Sequence, residues 1–199
     1  MSVSRPESVC VFCGSSDAAD PQFISAAAAL GRALAEAGLK LVYGGGGVGL
    51  MGATARAAHQ SGGRVLGIIP DFLLSRERVL EEVEHVIVSN MHERKMMMFE
   101  KSDSFVILPG GIGTLEEVVE LLSWRRLDLH AKPVVFYNPR DFWRPLFETF
   151  QMTVDEKLTP QGFMESFVSV ERIEDVVPAL MQVGASEDPA DEARIARMS

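Results

Sequence analysis

The chain has 199 residues, of which 47% are hydrophobic and 24% are charged, as is usual for a globular protein. Its 19 Lys and Arg residues against 28 Asp and Glu residues give a net charge of −9, which argues against nucleic-acid binding through a broad basic face. No apolar run approaches the roughly 20 residues that span a bilayer. We therefore expect a cytoplasmic protein without nucleic-acid or membrane partners, with a single domain over residues 1–184 and a mobile tail over 185–199.

Seven short apolar, β-branched runs are predicted to form strands. Several are apolar nearly throughout, which is typical of strands that are buried on both faces. The predicted strands are Val9–Cys13, Leu39–Tyr43, Arg64–Ile69, Val83–Val88, Phe105–Leu108, Val134–Tyr137 and Phe167–Val170.

Helical patterns alternate with these strands. Asp20 and Pro21 supply an N-cap and a first helical residue, and Gly38 ends that helix. Further helices are predicted at about Val48–Ser61, Met91–Ser102, Thr114–Leu127, Phe142–Glu156 and Ile173–Val183. The alternation predicts the α/β class: a single doubly wound Rossmann-like domain with a mostly parallel sheet of about seven strands. Ligands of such sheets bind at the carboxyl ends of the strands.

The two cysteines, Cys10 and Cys13, have the C-x-x-C spacing of a redox pair or of half a zinc site. A second such pair is absent, and Gly14 follows where a redox motif would open a helix. We therefore favour two buried strand positions in a compartment that keeps thiols reduced.

The first of two glycine-rich turns runs from Gly44 to Gly47 and follows the second predicted strand. Gly47, Gly49 and Gly52 satisfy the G-x-G-x-x-G pattern, and Asp71 lies 19 residues after Gly52. The pattern indicates either a dinucleotide site or a close strand-to-helix turn that needs glycine. No Lys-Ser/Thr pair follows, so the turn is not a P-loop.

The second turn, Pro109–Thr114, follows the fifth predicted strand and precedes a helix. Its glycines allow a phosphate to approach the free amides of a helix start, and Thr114 adds a hydroxyl donor. Two such turns suggest a compact ligand held from two sides, such as a nucleoside monophosphate.

Glu117 follows Thr114 at the spacing of a capping box, in which the glutamate bonds back to the N-cap amide. Local sequence alone favours that structural role. A carboxylate beside a phosphate-binding turn is repulsive, however, so a functional role is also a hypothesis.

Arg94 and Lys95 fall in the first turns of a predicted helix, where the helix dipole disfavours cations. Arginine can recover that cost by binding a carboxylate or a phosphate. The alternative is a solvated charged face.

Four segments carry a family resemblance when they occur together. They are Val11–Ser16, Tyr43–Gly52, Met91–Lys95 and Pro109–Glu117. In combination they resemble the Lonely Guy (LOG) family of cytokinin riboside 5′-monophosphate phosphoribohydrolases, over about Val9–Val170. Some relatives carry the label "possible lysine decarboxylase", but no lysine here has a recognisable pyridoxal phosphate context.

The resemblance implies hydrolysis of the N-glycosidic bond of an adenosine 5′-monophosphate, N6-substituted or plain, to free base and ribose 5-phosphate. It implies Arg94 and Glu117 as the catalytic residues and a homodimer with sites near its interface, and we expect no cofactor and no metal. The implied substrate- and phosphate-binding residues are Ser15, Gly45, Gly46, Glu77, Lys95, Gly110, Gly111, Gly113, Thr114, Glu116 and Ser123. The alternative is a carrier of a nucleotide or of molybdenum cofactor, which would not need Arg94 and Glu117.

Overall fold

A parallel sheet of seven strands organises residues 5–74 and 78–183, which the computed structural model describes. The strand order is β4-β3-β2-β1-β5-β6-β7, and every neighbouring pair is parallel. The strands are β1 (Ser8–Phe12), β2 (Lys40–Tyr43), β3 (Val65–Pro70), β4 (Glu84–Val88), β5 (Ser104–Ile107), β6 (Val134–Tyr137) and β7 (Val168–Val170). The predicted fold class is confirmed, with strand bounds within one residue of those predicted.

Six α-helices connect or follow these strands. They are α1 (Pro21–Glu36), α2 (Gly49–Gln60), α3 (Met91–Glu100), α4 (Ile112–Arg126), α5 (Arg144–Asp155) and α6 (Val176–Val183). Short 3-10 helices occupy Asp71–Leu73, Pro139–Asp141, Gln161–Ser166 and Ile173–Asp175. None of the helices in the described ranges is long and apolar enough to cross a membrane.

The start and the end of α1 follow from its own sequence. The carboxylate of Asp20 accepts a hydrogen bond from the amide of Gln22 at 2.8 Å, and Pro21 occupies the first turn. Gly38 follows the helix with φ of +74°, a conformation that glycine adopts without strain.

Helices cover both faces of the sheet, so the chain builds two apolar cores. One core takes buried residues from α1, α2 and α6, and the other takes them from α3, α4 and α5. Cys13 belongs to the first core and Cys10 to the second. Both are buried free thiols whose pKa is raised chiefly by burial, which confirms the prediction of two buried positions.

The chain reverses its direction of travel across the sheet at β1. Strands β1 to β4 proceed towards one edge, and β5 then returns to pair with the other side of β1. A crevice opens at such a switch point, between the loops that leave β1 and β5. Ligand-binding residues are therefore expected at Gly14 and the residues that follow it, and in the turn after Ile107.

Gly31 allows α1 and α2 to pack closely. A Cβ atom at Gly31 would lie 2.2 Å from the carbonyl oxygen of Thr54 and 3.0 Å from the amide nitrogen of Ala58, both on α2. These neighbours are backbone atoms and cannot rotate away.

We expect Gly31→Ala to lower the free energy of unfolding by about 1–3 kcal/mol, because a methyl group would force the two helices apart. Thermal denaturation of both variants measures the effect. Gly162→Ala is the matched control, since a Cβ there meets no atom within 4 Å. Equal melting temperatures for the two variants would contradict the close contact.

Candidate active site

Three loops meet at the carboxyl ends of β1, β2 and β5. The amide of Gly14, after β1, donates to the carbonyl of Pro109, after β5, at 3.1 Å. The carbonyl of Gly14 accepts from the amide of Met51 at 3.2 Å, which joins the same loop to the start of α2. Both glycine-rich turns therefore flank the crevice at the switch point.

The glycines of the first turn are required by contacts inside the protein. A Cβ at Gly47 would lie 2.3 Å from the carbonyl oxygen of Arg78, and one at Gly52 would lie 2.2 Å from backbone atoms of Gly47. At Gly49, with φ of +60°, a Cβ would lie 2.6 Å from the carbonyl carbon of Ser15. The G-x-G-x-x-G pattern is therefore explained by a close turn, and Asp71 lies exposed in a 3-10 helix.

Arg94 is a buried cation on α3, 5% exposed, that bonds the backbone of β3 and the residue just after β2. Its Nε donates to the carbonyl of Ile68 at 3.2 Å, and its Nη2 donates to the carbonyl of Gly44 at 2.9 Å. A Cβ at Gly44 would lie 2.0 Å from Nη2, so glycine is needed there to admit the guanidinium. These two bonds use two of the five N–H donors that an arginine carries.

Helix α4 begins earlier than predicted, and this changes the interpretation of Glu117. Gly111 is the N-cap without a side-chain cap bond, and the amide of Leu115 donates to the carbonyl of Gly111 at 3.0 Å. Thr114 is therefore the third helical residue rather than the N-cap. The capping-box prediction is wrong because Ile112 and Gly113 already have helical conformations, which places Glu117 inside the helix.

The second glycine-rich turn presents open space, in contrast to the first. A Cβ at Gly111 or at Gly113 meets no atom within 4 Å, and both residues are exposed. Gly110 is packed internally, because a Cβ there would lie 2.2 Å from the hydroxyl oxygen of the buried Thr114. No described atom blocks the space beside Gly111 or Gly113, so a ligand can approach these amides from outside.

Arg94 and Glu117 both lie close enough to the buried thiol of Cys13, one residue beyond β1, to influence its pKa. The pKa of the Cys13 thiol is raised first by burial and then by the carboxylate of Glu117, and it is lowered by the guanidinium of Arg94. Glu117 is half-buried and lines a narrow pocket together with Phe12 and Trp124. An anionic and a cationic side chain are thus placed beside the end of β1.

An ion pair joins the two helices that carry these side chains. The Nζ of Lys95 lies 2.5 Å from a carboxylate oxygen of Glu116 and 2.9 Å from one of Glu120. Burial alone would lower the pKa of Lys95, but the two carboxylates outweigh burial and raise it. Lys95 and Glu116 were predicted to bind substrate, and the structure pairs them with each other, one position along the chain from Arg94 and Glu117.

The remaining predicted binding residues are distributed unevenly. Ser15 is exposed after β1, and Gly45 and Gly46 are buried in the first turn. Ser123 is exposed on α4, about 15 Å along the helix axis from Gly113 at 1.5 Å per residue, so only an extended ligand would contact both. Glu77 lies outside the described residues.

Two residues of this region escaped the sequence analysis. Glu120 completes the ion pair of Lys95, and the recurrence of glutamate four residues after Glu116 was the available signal. His85 on β4 contacts the first turn from the edge of the sheet, and no local pattern marks it.

Comparison with known proteins gives a family match and several close relatives. Residues 51–180 match the family described as "Possible lysine decarboxylase". Cytokinin riboside 5′-monophosphate phosphoribohydrolase LOG7 of Arabidopsis thaliana is 45% identical over 77% of this chain and 71% of its own length. Cytokinin riboside 5′-monophosphate phosphoribohydrolase LOG of Oryza sativa subsp. japonica is 41% identical over 87% of this chain and 72% of its own length.

Solved structures of more distant proteins share the fold. The molybdenum cofactor binding protein of Rippkaea orientalis superposes with a TM-score of 0.70 at 22% identity, over 90% of this chain and 98% of that one. The molybdenum cofactor carrier protein of Chlamydomonas reinhardtii gives 0.66 at 20% identity, over 92% and 100%. At such identities the likeness extends to the fold alone. From the family model and the two close relatives, the chain belongs to the Lonely Guy family, the phosphoribohydrolases grouped under the description "Possible lysine decarboxylase".

Proposed function

We propose that this chain hydrolyses the N-glycosidic bond of an adenosine 5′-monophosphate, plain or N6-substituted, and releases the base and ribose 5-phosphate. The observation that carries the proposal is the open amide turn at Gly111 and Gly113, which lies about one helical turn before Glu117 on α4, with the buried Arg94 near the same end of β1. The activity named for the relatives at 41–45% identity supports the same chemistry. Two free buried thiols suit the cytoplasmic location that we propose.

The phosphate is assigned to the amino end of α4. The first amides of a helix lack intrahelical partners, and the helix dipole favours an anion there. This local attraction is needed because the chain as a whole carries a charge of −9 and repels anions. Gly110, Gly111, Gly113 and Thr114 would form this phosphate subsite.

Glu117 is assigned to the reacting carbon. Cleavage of the bond between ribose and adenine passes through an oxocarbenium-like state with positive charge at C1′. A carboxylate one turn into α4 stabilises that charge and can orient or deprotonate the attacking water. The phosphate, bound at the same helix end, holds the ribose in reach of Glu117.

Arg94 is assigned to clamping the substrate and orienting Glu117 rather than to proton transfer. A guanidinium keeps its proton at all physiological pH values. Its Nε and Nη2 donate to the carbonyls of Ile68 and Gly44, and its Nη1 lies 3.9 Å from the sulfur of Met91, so these contacts fix the guanidinium in place. Ser15, Gly45, Gly46, Glu77 and Ser123 stay proposed contacts to the rest of the nucleotide.

We expect Glu117→Gln to reduce turnover at least about 100-fold, the usual scale for a general base. The melting temperature should barely change, because Glu117 lies inside α4 rather than at its N-cap and glutamine keeps the size of the side chain. The assay follows free base by chromatography from AMP, from N6-isopentenyladenosine monophosphate and from adenosine, with the exposed Glu148→Gln as control.

The ratio of the two nucleotide rates identifies the preferred base, and adenosine should react poorly because it lacks the phosphate. Release of base at equal rates from adenosine and AMP would contradict the phosphate subsite. Nucleotide binding without release of any base would contradict the hydrolase and favour the carrier alternative.

We expect Gly113→Ala to raise the KM for AMP at least about tenfold without a loss of stability. The methyl group would occupy the space before the amides, and alanine favours a helix by up to about 1 kcal/mol over glycine. Steady-state kinetics and thermal denaturation separate the two effects, with Gly162→Ala as the control. An unchanged KM would show that the ligand does not approach the turn at this point.

We also propose that the chain forms a homodimer through α4. Large apolar side chains are exposed near one face of this helix, namely Ile112 (84% exposed), Val119 (48%) and Leu127 (52%). Isolated exposed apolar residues are ordinary, but a row along one helix is typical of an interface. Ile112 belongs to the phosphate turn, so a second copy on this face would border the site.

We expect Val119→Asp to convert the dimer into a monomer, because it would bury a carboxylate in the apolar contact. Light scattering after size exclusion measures the mass. Met152→Asp, at an exposed apolar position of α5, is the matched control and should stay dimeric. A monomeric wild type, or a dimeric Val119→Asp variant, would contradict this interface.

A further inference from the structure

His85 occupies an unusual position for a side chain on an edge strand. It is half-buried on β4, and its two ring nitrogens face two main-chain carbonyls. Nδ1 lies 2.9 Å from the carbonyl oxygen of Val83, and Nε2 lies 3.3 Å from that of Gly45. A carbonyl only accepts, so the ring must donate: a neutral ring to one of them, and a protonated ring to both.

The strand register explains how the ring reaches the first turn. Tyr43, Gly67 and His85 are direct partners across β2, β3 and β4, and cross-strand partners share a face of the sheet. Gly67 has no side chain, so the imidazole lies over β3. A Cβ at Gly67 would lie 2.5 Å from Cδ2 and 2.7 Å from Nε2 of His85.

The carbonyl that His85 faces belongs to a run of glycines, the residues with the greatest backbone freedom. The first turn contains four consecutive glycines, and Gly45 has φ of +84°. Arg94 bonds the carbonyl of Gly44, and His85 lies against that of Gly45. The turn also contacts the chain before β4, because Gly46 forms an isolated antiparallel β-bridge with Val79.

Fixing a carbonyl also fixes the next amide. In a trans peptide the C=O and the following N–H point in opposite directions. A hydrogen bond to the carbonyl of Gly45 therefore sets the direction of the N–H of Gly46, which then points away from the His85 ring. Gly46 is one of the residues that the proposed function places at the nucleotide.

We propose that His85, with a proton on Nε2, is a positioning residue of the nucleotide site, which orients the amide of Gly46 by donating to the carbonyl of Gly45. It acts through the backbone of the turn and does not touch the reacting atoms. The inference rests on the proposed function for the identity of the ligand, and on the structure alone for the immobilised turn.

The test compares His85→Phe, which keeps a ring without donors, with His85→Gln, which keeps a donor. We expect His85→Phe to weaken AMP binding and raise the KM about three- to tenfold with kcat nearly unchanged, as loss of one hydrogen bond predicts. His85→Gln should recover most of the loss. His59→Phe, at an exposed position of α2, is the matched control and should behave as wild type.

Amide hydrogen exchange measures the turn without any ligand. Exchange over residues 44–48 should be faster in His85→Phe than in wild type and in His59→Phe. If His85→Phe does not fold, His85→Val is used, since a β-branched residue suits a strand.

Two results would overturn the inference: unchanged exchange in the turn, or a glutamine variant no better than phenylalanine. The second result would show that the His85 ring acts through packing and not through a hydrogen bond. A wild-type protein that releases no base from any nucleotide would refute the proposed function instead, and the exchange measurement would still decide the role of His85.

Discussion

The arrangement of the site depends on one buried charge. Burying a guanidinium is expensive unless its donors are satisfied, and Arg94 satisfies two of them with the carbonyls of Gly44 and Ile68. The carbonyl of Gly44 lies just beyond β2, and the carbonyl of Ile68 lies in β3, one residue past the last residue that pairs with β2. The same bonds hold α3 against the sheet and exclude any side chain at position 44. Fold and site therefore share this contact, and removing the charge would disturb both.

The two glycine-rich turns are similar in sequence, but the surroundings of their glycines differ. At Gly47, Gly49 and Gly52 the chain itself fills the space that a side chain would need. At Gly111 and Gly113 that space is open, and both residues are exposed. A G-x-G-x-x-G pattern is therefore weak evidence of a dinucleotide until the neighbours of each glycine are known. A glycine with no neighbouring atoms inside the protein is better evidence of a ligand site than the pattern itself.

Features that depend on residues close together in the sequence, such as helix ends, were mostly predicted correctly. Asp20, Pro21 and Gly38 bound α1 as expected, because caps and left-handed residues act within a few positions. The start of α4 was missed because Thr114 and Glu117 imitate a capping box, whereas the helix begins at Ile112. The ion pair between Lys95 and Glu116 could not be predicted from the sequence, because the two residues lie 21 positions apart and meet only through the packing of α3 against α4. The position of His85 could not be predicted from the sequence, because it depends on the strand register that pairs His85 with Gly67.

The strand order also has a consequence for how the chain folds during synthesis. The central strand β1 pairs with β2 about 30 residues later, but its other neighbour, β5, begins only at Ser104. Contacts of such high sequence separation form slowly, since a long loop must close before they contribute. Until β5 has left the ribosome, one edge of β1 and the apolar residues on it stay exposed. A nascent chain that already holds the first glycine-rich turn and Arg94 therefore still lacks the second neighbour of β1 and the second glycine-rich turn. Translation has to continue through α4 before the crevice exists.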